Sequence, residues 1–335
     1  MKFENFVGID ISKDTLDLAI LTKHGELFNL QISNERQEIE QRVPQWLSEH
    51  DAQSSATLMC AEHTGHFGMK LIEISLKLGW NLWMESPYKI VHSQGLIREK
   101  NDKIDARRIA RYANRYQDLA TLVAVSNKSV QILSHLNSER EILVKDRARY
   151  EGQIKQEEGF LDAIYFKSKK KRVEKAIQWL TKAIKEVEAE MDKIINSDPE
   201  IKKNFQAITS INGIGPQTAI ATILATDNFN KFDDARKFAC HAGCAPFKYS
   251  SGTSKNSKHK VSHKANKNLK RLFHMAAVSS LRMKGEMKEY YDRKVGEGKN
   301  KMSVLNAIRA KLIARIFALV KSGRKYEKNY NAMLV

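Results

Sequence analysis

The sequence predicts an α/β domain with a mixed sheet, followed by long paired helices and a mainly α-helical, basic domain. Three observations carry this. Short β-rich runs joined by tight turns give way, within the first 118 residues, to strands alternating with helices. A heptad pattern then occupies roughly residues 127–198. Charge is also unevenly divided: residues 1–117 hold 15 Lys/Arg against 16 Asp/Glu, and the remainder holds 42 against 23. The expected boundaries are 1–118, 127–198 and 199–330.

Residues 3–11, 15–21 and 26–32 are apolar and β-rich, with turns at Ser12–Asp14 and His24-Gly25, so an antiparallel meander is expected. Residues 35–48 place Ile39, Val43 and Leu47 on one helical face. A strand over 57–61 ends in Glu62. A helix near 67–78, a strand over 81–84 and helices near 87–96 and 103–116 complete the domain.

Four carboxylates fall at the ends of these elements. Asp10 lies near the end of the first strand, after Gly8, and Glu62 ends the fourth. Asp102 and Asp105 open the last helix, three apart and so on one face. Each alone reads as a surface charge, and Asp102 with Asp105 reads equally as a helix face salt-bridged by Arg107, Arg108, Arg111 and Arg115. Together, at strand ends and a helix start, they can converge on one sheet edge, where α/β folds place their sites, and the surface-charge reading is weaker for all four than for any one. Four hard oxygen donors suit two Mg2+ (or Mn2+) ions in phosphoryl transfer.

Val173, Ile177, Leu180, Ile184, Val187, Met191 and Ile194 alternate by four and three. Leu133, Leu136, Leu143, Tyr150, Ile154, Leu161 and Ile164 keep the same register upstream, and Lys167–Arg172 reads as the linker between two helices. The helices pair with each other or with a second subunit; an assembly role, dimer or tetramer, is expected.

Beyond residue 199 the expected features are those of nucleic-acid binding. The net charge is +18, and Ala235 to Gly285 contains twelve Lys/Arg and no carboxylate. A one-sign surface of that length calls for a polyanion: nucleic acid is the expected partner, with the ribosome or an acidic protein as the alternative. Gly213-Ile214-Gly215, followed by Pro216, has the pattern of a helix-hairpin-helix whose second helix offers free N–H groups to a phosphate. Lys248, Lys255, Lys258, Lys260, Lys264 and Lys267 surround a Ser/Thr/Gly loop, Tyr249–Ser254, which reads as a phosphate-contacting or flexible loop or as the carrier of a hydroxyl nucleophile. Cys240, Cys244, His259 and His263 approximate a zinc spacing, but a finger's apolar positions are absent and Phe238–His241 reads as a helix end, so zinc is not assigned. Two helices, near 264–283 and 302–321, finish the chain.

Other classes are disfavoured. No apolar run reaches the roughly 18 residues of a membrane span, no signal-like h-region opens the chain, and three cysteines make no disulfide framework. A cytoplasmic, nucleoid-associated protein is expected.

These motifs, in this order and over nearly the whole chain, resemble the DEDD transposase and recombinase family of the Piv invertase and the bridge-RNA-guided insertion-sequence transposases. The resemblance rests on Val7-Gly8-Ile9-Asp10, Glu62 before Thr64-Gly65, Asn101-Asp102 with Asp105-Ala106, Gly213-Ile214-Gly215, Ala242–Pro246 and Ser251-Gly252. It implies a RuvC-like, RNase H-type first domain in which Asp10, Glu62, Asp102 and Asp105 bind magnesium. It further implies a transposase domain in which Ser251 joins covalently to DNA, and a structured guide RNA as partner. Asn212, Cys244 and His63 depart from the family's usual proline, leucine and small residue. The expected reaction is strand cleavage and exchange through a serine–DNA intermediate. The alternative on the same fold is a metal-dependent nuclease or junction resolvase using water, for which the four acids suffice. A third is a nucleic-acid-binding protein without activity.

Overall fold

A computed structural model describes residues 3–93, 101–124, 127–245, 250–251, 255–256 and 265–327. The chain divides into two compact units, Met1–Val125 and Ser126–Val335.

In the first unit β1 (Asn5–Ile11), β2 (Thr15–Leu21) and β3 (Leu27–Ser33) form the expected meander. The chain then crosses through α1 (Arg36–Glu49) to β4 (Thr57–Glu62), parallel to β1. It crosses again through α2 (Met69–Leu78) to β5 (Asn81–Glu85), parallel to β4. The sheet order is β3-β2-β1-β4-β5. A short α3 (Pro87–His92) and α4 (Asp102–Arg115) come next.

The period of two sorts β1 between two cores. Val7, Ile9 and Ile11, with Leu16, Leu18 and Ile20, bury against Ile39, Val43 and Leu47 of α1 and Leu71 and Ile74 of α2. On the other face Phe6, Leu58, Cys60 and Trp83 pack against Ile109, Tyr112 and Ala113 of α4. Gly8 belongs to that second face, and α4 rests directly on it. A Cβ there would stand 2.1 Å from the Ala106 carbonyl oxygen and 2.2 Å from the Ala110 nitrogen.

The second unit starts with α5 (Lys128–Glu157) and α6 (Ala163–Ser197). They pair with each other, antiparallel: Arg140 meets Glu188 at 2.6 Å, and Glu157 meets Lys169 at 2.6 Å. Leu180, Ile184, Val187 and Met191 are buried along the expected seam, and Ile195 takes the place expected of Ile194. The turn between the helices is not Lys167–Arg172, which lies inside α6, but the stretch from Glu158 to Asp162, where Asp162 caps α6 through the Tyr165 N–H at 2.9 Å. A lysine run has good helix propensity, whereas Gly159 at φ 84° ends a helix. Leu161 and Ile164 accordingly leave the seam and are exposed, 37% and 83%.

The remaining helices are α7 (Pro199–Thr209), α8 (Pro216–Thr226), α9 (Ala235–His241), α10 (Lys267–Leu281), α11 (Glu286–Gly296) and α12 (Lys301–Ser322). A two-residue pair, β6 (Ser250–Ser251) with β7 (Lys255–Asn256), precedes α10. Their core gathers Phe238, Phe273, Ile308, Leu312 and Ile316 with Val130, Leu133 and Met191 from the hairpin. Helix α11 has no counterpart among the expected elements, because only Met287 of its residues is buried and its apolar stripe is correspondingly thin. No described helix is long and apolar enough to cross a membrane.

Candidate functional site

Asp10 lies one residue beyond Ile9, which stands opposite Ala61 in the β1–β4 register, so Asp10 and Glu62 continue side by side at the carboxyl ends of two parallel strands. Asp10 shares its face of β1 with Gly8, and Gly8 is where α4 lies closest. The absent methyl thus seats α4, and α4 carries Asp102 and Asp105 in its first turn. Asn101 caps that turn, its side chain accepting from the Ile104 N–H at 2.8 Å. The helix N-terminus favours both carboxylates of its first turn.

The acids sense one another. The carboxyl of Asp10 is pushed up from the ordinary 3.8 to about 6, first by burial, then by the negative charges of Asp102, Asp105, Glu62 and Asp17. The sequence-predicted quartet is therefore brought into one electrostatic neighbourhood. Arg108 pairs with Asp105 at 2.9 Å, while Arg107 is turned to Asn29 at 2.5 Å. The salt bridge expected on the helix face is thus present between Arg108 and Asp105. Among the described residues no three His, Cys, Asp or Glu side chains stand gathered as a finished metal cage. The donor set nonetheless fits a hard divalent cation in kind: carboxylate oxygens, with a half-buried Asp10 whose ionisation is opposed by burial and by neighbouring negative charge.

Two further acids escape the reading from sequence. Asp17 stands opposite Asp10 in the β1–β2 register and is held by Gln31 Nε2 at 3.1 Å to both oxygens. Glu85 stands opposite Glu62 and is buried. It accepts from the Ser86 N–H at 2.6 Å, Lys89 Nζ at 3.1 Å and the Tyr112 hydroxyl at 3.3 Å. Burial and Glu85 push that phenol up to about 12. The available signal is positional, since Glu85 closes β5 just as Glu62 closes β4.

In the second unit Gly213 has φ 92°, and a Cβ on it would lie 2.7 Å from the Ser280 nitrogen and 2.8 Å from the Ala276 carbonyl oxygen. Its immediate role is the seating of the α7–α8 turn against α10. Gly215 is open on its outer side and leads into α8. Lys267 is exposed at the start of α10. Ser251 and Lys255 are paired across β6 and β7. Lys248, Lys258, Lys260 and Lys264, and with them His259 and His263, lie outside the described residues. Cys244 is buried, its thiol donates to the Ala242 carbonyl at 3.5 Å, and burial pushes it up to about 11.

A mixed sheet ending in clustered carboxylates beneath a helix start fits an α/β domain of the RuvC-like class. Residues 7–166 match a DEDD transposase family model, and residues 205–292 match that of the Transposase IS116/IS110/IS902 family. Similar proteins include the pilin gene-inverting proteins of Moraxella bovis and Moraxella lacunata. Each is 25% identical over 330 residues, covering 97% of this chain and 98% of the relative. An uncharacterized insertion element IS110 protein of Streptomyces coelicolor is 29% identical over 150 residues, 45% of this chain and 37% of its own. The chain belongs to the IS110-type DEDD transposase family, and is a DNA transposase or recombinase.

Proposed function

We propose that the chain cleaves and exchanges DNA strands through a serine ester, with the chemistry shared between its two units. The observation that carries the reading is the electrostatic coupling of Asp10 to Glu62, Asp102 and Asp105. These residues would hold Mg2+ or Mn2+, which offsets the charge of the scissile phosphate when bound. Ser251 Oγ forms a bond to phosphorus as one P–O bond of the diester breaks. The seryl proton is given up to solvent and the departing oxygen takes one. Reversal by an incoming strand hydroxyl restores Ser251. Duplex DNA binds the acid-free stretch from Ala235 to Gly285, which includes Lys267, helped by the turn before Gly215. A structured guide RNA is the second nucleic-acid partner, and a homodimer or tetramer assembles the active sites that exchange requires.

The test is chemical. Protein denatured during reaction should carry a DNA strand on the tryptic peptide containing Ser251. Ser251→Ala should lose both adduct and exchange, and Asp105→Ala should lose both while still binding duplex. Cleavage by Ser251→Ala at the wild-type rate, with DNA released, would make water the nucleophile and the chain a hydrolytic nuclease.

A further inference from the structure

Arg309 is a buried cation that the chemistry above does not use. It lies in α12 and is 5% exposed. Its Nη2 donates to His274 Nδ1 at 2.8 Å. A guanidinium cannot accept, so that imidazole nitrogen carries no proton, and the partner is a neutral ring. Burial and Arg309 together hold the His274 ring below its ordinary range. Arg309 Nε is buried and, among the described residues, has no hydrogen-bond partner.

No carboxylate pairs with Arg309 among the described residues. The sequence sharpens this point: α9, α10 and the whole segment joining them fall inside Ala235–Gly285, which contains no Asp or Glu. Those elements therefore cannot neutralise it in any arrangement. Lys270, of the same sign, acts together with Arg309 on the Cys244 thiol. A charge taken out of water without a counter-charge is costly and is otherwise rare.

The position ties this cation to the serine segment. Asn306, one turn before Arg309 on the same face of α12, donates to the Cys244 carbonyl at 2.8 Å. Cys244 and Ala245 are the last described residues before Ser250 and Ser251. One helical face thus pins Cys244, at the root of that segment, and one turn on carries the unneutralised guanidinium of Arg309.

We infer that Arg309 is a phosphate receptor: it takes a backbone phosphodiester of the nucleic acid handled by the serine segment, with His274 fixing the guanidinium plane. A planar fork matches two phosphate oxygens. The missing counter-charge arrives with the substrate. This rests on the proposed DNA strand-exchange reading and names one residue that would serve it.

The test uses the full chain with Arg309→Met and Arg309→Lys, measuring urea unfolding without nucleic acid and duplex-DNA affinity across a salt series. Arg309→Met should unfold at the same or higher urea concentration, because it removes an uncompensated buried charge. The slope of log affinity against log salt should fall by about 0.9, one phosphate contact. Arg309→Lys should keep most of the slope. An unchanged slope in Arg309→Met overturns the assignment, and so does a variant that unfolds earlier or fails to fold, since the arginine then serves His274 and the core. If the wild-type chain binds no duplex at all, the DNA reading itself fails, and that result is separate.

Discussion

Asp10→Asn should make the metal-free protein more stable at neutral pH. The Asp10 carboxyl titrates near 6 in the folded chain, against the ordinary 3.8. A folded-state pKa raised above the unfolded one contributes stability that is complete below about 4 and is lost as pH rises through about 6. Two units correspond to roughly 3 kcal/mol at most. Asp10 is only half-buried, so screening reduces this to about 1–2 kcal/mol. Asparagine keeps the shape and never ionises. The variant and the wild type should therefore match near pH 4. They should diverge between 4 and 6, and by pH 7.5 differ by about 1–2 kcal/mol in the variant's favour. The assay is urea unfolding in EDTA at a series of pH values, followed by circular dichroism. Magnesium should narrow the gap at pH 7.5 by stabilising only the wild type. A variant no more stable than wild type at pH 7.5, or a difference that ignores pH, would refute the coupling of these acids.

Gly8→Ala should destabilise the first unit by at least about 3 kcal/mol, because the new methyl meets backbone atoms of α4 rather than a side chain that can move; unfolding indistinguishable from wild type would mean that α4 does not rest on β1. Leu180→Ala should cost about 2–4 kcal/mol of second-unit stability while leaving the mass in solution unchanged, since Leu180 is buried within the chain's own hairpin. A mass that falls by light scattering while helicity is retained would assign that seam to subunit pairing.

The first unit is largely legible in the sequence because each of its elements advertises itself locally. The meander, both crossovers and the helix over Asp102–Arg115 come from period and turns, and the bounds agree within a few residues. The quartet is legible from its places at element ends. Glu85 and Asp17 are not, because what marks them is a register partner, Glu62 or Asp10, and register is a relation between strands. The hairpin turn is misplaced from sequence because a run of lysines looks like a linker yet is a good helix former. Gly213 suggests a glycine facing a phosphate, yet its nearest neighbours are in α10, a contact between residues more than sixty positions apart. Arg309 carries no sequence signal at all. An arginine in a helix looks exposed until the fold shows what surrounds it.

The antiparallel return of α5 and α6 changes what seventy residues of chain accomplish. Asn127, at the root of α5, donates to Asp198, just past the end of α6, at 2.8 Å. The polypeptide therefore comes back to where it left. Thirty residues of helix make an arm about 45 Å long, yet the arm adds no separation between Asn127 and Asp198. Its length is an independent variable. Whole heptads taken from both strands together would shorten the reach of the tip, with its exposed Phe160, Ile164 and Tyr165, and leave the root unmoved. A structure arranged this way can lengthen or trim one limb in evolution without disturbing the joint.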